Sequence, residues 1–183
     1  MLHHAGSPVL YTQRLRLRPY RKGDGAAMFA NWAGDAEVTR FLSWGPHASP
    51  QVSESLAQRW AEGYESPTVY RWAIEKDGEL IGDIAVTRWN EDRESCELGY
   101  CLCRRYWNQG LMTEALGRVI RYLFDTVGFH RILARHDAAN PASGRVMEKC
   151  GLRYEGTSRG EQKRRDGTWM DVRNYAILRD DPA

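Results

Sequence analysis

The chain of 183 residues is short of three things: long apolar runs, imbalance of charge, and cysteine. No stretch approaches the roughly 18 consecutive apolar residues of a membrane span. The opening MLHHAGSPVLYTQRL has neither a charged n-region nor an apolar core, so no signal peptide is expected. With 26 Lys+Arg against 24 Asp+Glu the formal charge is +2, too balanced for the global field of an obligate nucleic-acid binder. Cys96, Cys101, Cys103 and Cys150 are too few and too clustered for a secreted disulfide framework. Reduced thiols in a soluble, cytoplasmic protein are the expectation. Repeats, low-complexity tracts and Pro/Ser linkers are missing too, which points to one domain over residues 1–183 with a loose start over residues 1–11.

What is present is a 42% hydrophobic content, enough for a real core, distributed with clear periods. Leu15 and Leu17 alternate with Arg14, Arg16 and Arg18, a half-buried strand closed by Pro19. Asp24 is placed to cap a helix through Met28, Phe29 and Trp32 that ends near Gly34. Val52, Leu56, Trp60 and Tyr64 recur at four-residue spacing on a second helix, from about Gln51 to Glu65. VYRWAIEK and ELIGDIAVTRW are strand-like runs joined through Asp77-Gly78, a strong hairpin signal, and SCELGYCLC follows as a third strand of the meander. Met112, Ala115, Leu116, Val119, Ile120, Leu123, Phe124 and Val127 form one stripe of the clearest helix in the chain. RILARHD reads as a buried strand, and NPASGRVMEKC as a helix with Pro141 at its first position and Gly151 as its stop. Strands around LRYEG and WMDVRNYAILR, separated by the turn DGT, complete an α+β domain on a mixed, mostly antiparallel sheet flanked by helices.

The segment RRYWNQGLMTEAL puts a lone glycine, Gly110, directly ahead of the clearest helix. A helix start carries unpaired N–H groups and about half a positive charge, which makes it a natural seat for an anion such as phosphate. A Cys-x-Cys pair on one strand, Cys101 and Cys103, sets two sulfurs on one face, but no His or Cys partner with ligand spacing accompanies it, and no metal site is expected.

Six pieces in order resemble the GNAT superfamily of acyl-CoA N-acyltransferases, in its branch of ribosomal-protein N-terminal acetyltransferases of the Rim type. They are TQRLRLRPYRKGD, DAEVTRFLSWGP, ELGYCL, WNQGLMTEA, NPASGRVMEKCGLRYEG and the late W-x-D-V-x-x-Y-A-I-L. The resemblance implies acetyl-CoA as co-substrate. Its cofactor loop, usually (Gln or Arg)-x-x-Gly-x-(Gly or Ala), reads Trp107-Asn108-Gln109-Gly110-Leu111-Met112 here, so the central glycine is kept and both ends depart. It implies that amides from Gln109 to Thr113 face the pyrophosphate, with Met112 leaving less room there and Arg104 or Arg105 screening the charge. Cys101, Leu102 and Cys103 would pair their backbone with the pantetheine arm, Asn140 would bond the cofactor amide, and Ser143 would protonate the leaving thiolate. The superfamily's proton-donating tyrosine falls on Met147, which cannot donate.

Glu97 is the candidate base, on the strand face opposite Cys96, Leu98 and Tyr100 and shared with Gly99 and Cys101. Freeing an amine of its proton at pH 7 costs roughly 1 kcal/mol for an α-amine and about 5 for a lysine, so an ordinary carboxylate suits the α-amine. The expected acceptor is therefore a protein N-terminal α-amine, with a ribosomal protein N-terminus as candidate partner, no membrane, no nucleic acid, and a homodimer left open. Two other readings stand beside it. One is an acetyltransferase for a small cationic amine such as a polyamine or aminoglycoside, with Asp35, Glu37, Glu91, Asp92, Glu94 and Asp171 lining an acidic mouth. The other is a module that holds CoA or RNA without turnover. An acyl-cysteine route would need a thiolate that no neighbouring His is seen to supply. Arg14, Arg16, Arg18 and Lys163-Arg164-Arg165 read as a solvated edge strand and a hairpin tip.

Overall fold

At the Asp77-Gly78 turn both residues take left-handed backbone, φ 50° and 81°, which is the conformation a two-residue hairpin needs. In the computed structural model, which describes residues 1–181, this turn joins β3 (Arg71–Lys76) to β4 (Glu79–Asn90). β5 (Ser95–Leu102) completes the meander expected from the sequence. With β1 (Leu10–Tyr11), β2 (Arg16–Arg18), β6 (Arg131–Asp137), β7 (Arg153–Lys163) and β8 (Trp169–Leu178), they form one eight-stranded sheet ordered β1-β2-β3-β4-β5-β6-β8-β7. Every neighbouring pair is antiparallel except β5 with β6. The α+β expectation holds.

Helices cover both faces. α4 (Leu111–Tyr122) buries the stripe Leu111, Met112, Ala115, Leu116, Val119 and Ile120 against Ile84, Cys96, Leu98 and Ile132 of the sheet. Burying each of the larger side chains contributes about 1.5–3 kcal/mol, so this face anchors the fold. The opposite face is covered by α1 (Asp24–Met28), a wide π turn over Phe29–Ala33, α2 (Ala36–Thr39) and α3 (Pro50–Gly63), which enclose Met28, Trp32, Ala57, Ala73 and Leu80. α5 (Pro141–Lys149) begins just after Asn140, with the expected proline in its first turn.

Three local expectations give way to long-range contacts. Residues 1–11 are tied down rather than loose: Leu2 and Leu10 are buried, and the His3 and Gly6 amides donate to Val127 and Pro67 carbonyls, each at 2.7 Å. The Pro8 and Gly6 carbonyls accept from Trp72 Nε1 and Tyr122 Oη, each at 2.8 Å. Asp24 is the first helical residue rather than the cap, a position that Gly23 takes at φ 97°. Its carboxylate instead accepts from Arg18 Nη1 and Nη2 at 2.7 and 2.8 Å. Arg18 is consequently only 4% exposed and also donates to Glu75 at 2.6 Å. The alternating arginines are thus not a plain solvated edge, because a buried guanidinium is stable only when carboxylates surround it.

Candidate active site

β5 and β6 run side by side only from Ser95↔Arg131 to Leu98↔Ala134. β6 continues to Asp137 held against β8, while β5 continues to Leu102 held against β4, so the sheet opens between them. Backbone groups along an antiparallel strand alternate sides. The Cys103 amide donates to Ile81 at 2.8 Å and its carbonyl accepts from the Tyr106 amide at 3.0 Å, so Cys103 has no free backbone group. By the same alternation Cys101 faces β4. Tyr100 and Leu102 face the gap, and there the Leu102 carbonyl accepts from Trp107 Nε1 at 2.7 Å. Of the three residues expected to offer backbone to an extended ligand, Leu102 faces the gap with its carbonyl taken by Trp107 and its amide toward the opening, Cys101 and Cys103 face away, and Tyr100 faces the gap as well.

At the mouth of this gap α4 starts. Asn108 and Gly110 are both left-handed, φ 59° and 74°, so the chain reverses sharply before Leu111. The first turn of the helix has no earlier carbonyl to bond, which leaves the amides of Leu111, Met112 and Thr113 available. The side chains of Leu111 and Met112 point into the core, so Met112 does not crowd the turn as the sequence suggested. Arg104 and Arg105 are directed elsewhere, Arg104 to Asp35 at 3.3 Å and Arg105 to Glu79 and to Asn31 Oδ1. Arg14 lies on the turn instead: its Nη1 donates to the Gln109 carbonyl at 3.0 Å and its Nε to Glu114 at 2.7 Å. Burial alone would raise the Glu114 carboxyl, but hydrogen bonds from Thr12 and from the Arg14 backbone and side chain hold it below the usual range.

On the far side of the gap, Glu97, Gly99, Tyr100, Asn140 and Ser143 line a cleft of about 360 Å³ with Arg88, Arg135, His136 and Asp137. Alternation along β5 operates as read: Cys96 and Leu98 enter the α4 core, while Glu97 faces the cleft. A bulge in β4 between Val86 and Arg88 sets Arg88 directly across from Glu97. Glu97 Oε2 accepts from Arg88 Nε and Nη2 at 2.8 and 2.5 Å, and Oε1 accepts from Arg135 Nε at 2.9 Å. Ser143 Oγ lies 3.0 Å from Tyr100 Oη, whose hydroxyl also lies 3.1 Å from the Ser143 carbonyl. Burial pushes the Tyr100 phenol up, so it stays protonated at neutral pH. Sequence reasoning missed Tyr100, since nothing local connects it to a helix 43 residues later. Met147 is buried in the core and does not line the cleft.

His136 Nδ1 lies 2.7 Å from the Asp137 carbonyl; a carbonyl only accepts, so Nδ1 carries the proton and donates. Burial lowers its basicity and keeps the ring neutral. A Cβ at Gly144 would lie 2.7 Å from His136 Nε2, so only glycine lets α5 approach β6 this closely. Asp137 is covered by Arg164 Nε and Nη2 at 2.8 and 2.9 Å. Arg165 Nη2 reaches the Thr39 carbonyl at 3.4 Å, so the β7–β8 tip is held to the end of α2 rather than standing free. Cys96 and Cys103 are buried, burial pushes the Cys101 thiol well up and raises Cys150 to about 11, and none is set up as a thiolate. Among the described residues no group of three His, Cys, Asp or Glu side chains is placed to hold a metal ion, and no helix is long and apolar enough to cross a membrane.

The sheet thus opens between β5 and β6 with an amide-lined helix start at the opening, and comparison with known proteins gives this architecture a family. An acetyltransferase (GNAT) domain model matches residues 14–153. An uncharacterized N-acetyltransferase of Bacillus subtilis, YoaA, is 33% identical over 174 residues, 94% of this chain and 97% of that protein. The ribosomal protein uS5-alanine N-acetyltransferase of Escherichia coli is 36% identical over 77 residues, 42% of this chain and 39% of that protein. RimL, a ribosomal L7/L12 α-N-protein acetyltransferase solved with coenzyme A, superposes with a TM-score of 0.84 at 18% identity, over 93% of this chain and 97% of that one. The chain belongs to the GNAT acetyltransferase family. It is an acetyl-CoA-dependent N-acetyltransferase.

Proposed function

We propose that the protein acetylates a protein N-terminal α-amine by direct transfer from acetyl-CoA, with a ribosomal protein N-terminus as the first candidate acceptor. The observation that carries this reading is the cleft itself, in which Glu97, Asn140 and Ser143 meet at the open edge of β5. The residues fit the carrier: the amides of 109–113 suit its diphosphate, Tyr100 and the Leu102 amide face the gap where its arm would lie, and Asn140 lines the cleft beside Ser143. In the reaction the amine nitrogen bonds the thioester carbon as the C–S bond breaks. Glu97 receives the proton that nitrogen loses. Ser143 donates to the departing sulfur: Tyr100 Oη directs its one proton at the Ser143 carbonyl, so the serine hydroxyl donates to Tyr100 Oη until it turns to the sulfur. Glu97 returns its proton to solvent and Ser143 regains one as the products leave.

By their names the uS5-alanine enzyme acts on an alanine of ribosomal protein uS5 and RimL on an α-nitrogen of ribosomal L7/L12, which favours a protein α-amine as acceptor here. The cationic-amine reading loses its support. Asp35 is paired with Arg104, Glu91 with His4, Glu94 with the N-terminal amine, and Asp171 accepts from the Gly160 amide; neither these nor Glu37 and Asp92 line the cleft. The test is thiol release from acetyl-CoA across a panel of N-terminal peptides and polyamines. Release that depends on a peptide α-amine supports the reading. Release with polyamines alone, or coenzyme binding without release, contradicts it.

A further inference from the structure

We infer that the acceptor carries an anionic group close to its reacting amine and that Arg88 reads it, an inference that rests on the N-terminal amine reading above. The bulge in β4 is the starting point. Without the extra residue Thr87 would lie opposite Glu97; with it, Arg88 does, and Thr87 is left to donate through Oγ1 to the Glu97 carbonyl at 3.2 Å.

The result is a base with both oxygens engaged. Two guanidiniums reach Glu97, and they are not equivalent. Arg135 is held at both ends, by Glu97 Oε1 and by Glu161 Oε1 at 2.6 Å, and its side chain is 26% exposed. Arg88 is 62% exposed, and its ion pair is with Glu97, whose own side chain is 13% exposed. An exposed guanidinium in a surface pair is easily redirected, whereas one locked between two carboxylates is not. Arg88 is therefore the movable arm.

The charges around it favour an anion. The lining carboxylates are Glu97 and Asp137, and Asp137 is capped by Arg164 with its side chain 1% exposed. A second cationic group on an acceptor meets no uncommitted carboxylate in that lining. A carboxylate meets a guanidinium within reach of the base, and Arg binds carboxylates through paired donors. When Arg88 turns to such a group it vacates Glu97 Oε2, the oxygen that then accepts the amine proton. The acceptor's own charge thus frees the base, so an acidic second or third residue marks the productive N-terminus.

The test measures thiol release with peptide pairs that differ only in Glu or Gln at position 2, and with a free α-amino acid against its carboxamide. The expected result is a kcat/KM at least tenfold higher for the acidic peptide, collapsing to within about twofold in Arg88→Ala and standing in between in Arg88→Lys. Peptides turned over with no such ratio, or a ratio that survives Arg88→Ala, overturn the inference while leaving the N-terminal reading intact. If neither peptide reacts but the amino acid outruns its carboxamide, the N-terminal reading fails and takes with it the inference built on it. Failure of every acid-bearing amine, while a neutral amine reacts, overturns it as well.

Discussion

The two halves of the site are built from different material. The turn before α4 presents backbone: two left-handed residues, a helix start, and side chains at Leu111 and Met112 that face inward. The acceptor cleft presents side chains: Glu97 from β5, Arg88 from a bulge in β4, Arg135 from β6, Ser143 from α5. Backbone amides tolerate changes of sequence, which is why a loop departing from the family pattern at both ends still has the form to hold an anion. Side-chain chemistry tolerates little, since each group must arrive by its own register.

That contrast is sharpest at Glu97. Glu97→Gln is expected to cut kcat by about 10²–10³-fold, in the range of a lost general base, with coenzyme A affinity unchanged within twofold; isothermal titration beside steady-state kinetics separates the two. Next come Ser143→Ala and Tyr100→Phe. Each is expected to lower kcat by about tenfold, and the double variant by no more than about the worse single one, because both act on one proton; full additivity would show that they work independently. At the turn, Gly110→Ala is expected to weaken coenzyme A by several-fold and cost about 1 kcal/mol of stability, since φ 74° strains any residue with a Cβ. Asn108→Ala and Gln109→Ala should each stay within about twofold in coenzyme affinity. A loss from these two equal to that from Gly110→Ala would break the distinction between backbone and side chain.

The smallest expected effect is on stability against pH. The unfolded chain protonates His136 near the ordinary value of about 6.5, whereas the buried ring resists the proton. Below that value the unfolded state binds more protons, so stability falls as pH drops from neutrality toward the lowered native value. The urea midpoint at pH 7.5 against pH 5.5 should show this decline, and His136→Gln should flatten it.

Much of the frame was legible because it is written locally. Asp77-Gly78 names a turn, the stripe from Met112 to Val127 names a helix face, and Asn140-Pro141 names a helix start. Alternation along β5 was enough to separate Glu97 from Cys96 and Leu98. What could not be read depends on partners far away in sequence or on a single inserted residue. Arg18 is buried by Asp24 and Glu75, and the first residues are fixed by carbonyl contacts to Pro67 and Val127. Arg104 and Arg105 look like phosphate ligands by position, yet carboxylates on α2's leading edge and β4 draw them off and leave Arg14 at the turn. Arg88 would have been paired with the wrong neighbour by simple register counting, because one bulge shifts the ladder. The family resemblance points to Cys101, Leu102 and Cys103 together and carries no strand parity; the Ile81 and Tyr106 hydrogen bonds of Cys103 show that it and Cys101 turn their backbone away from the gap.

The most direct measurement is a crystal structure of the protein with coenzyme A. The expected result is the diphosphate on the amides of 109–113, the arm alongside Tyr100 and Leu102, and the sulfur within hydrogen-bonding reach of Ser143 Oγ and in view of Glu97. A carrier bound elsewhere, or a sulfur remote from both Glu97 and Ser143, would contradict it.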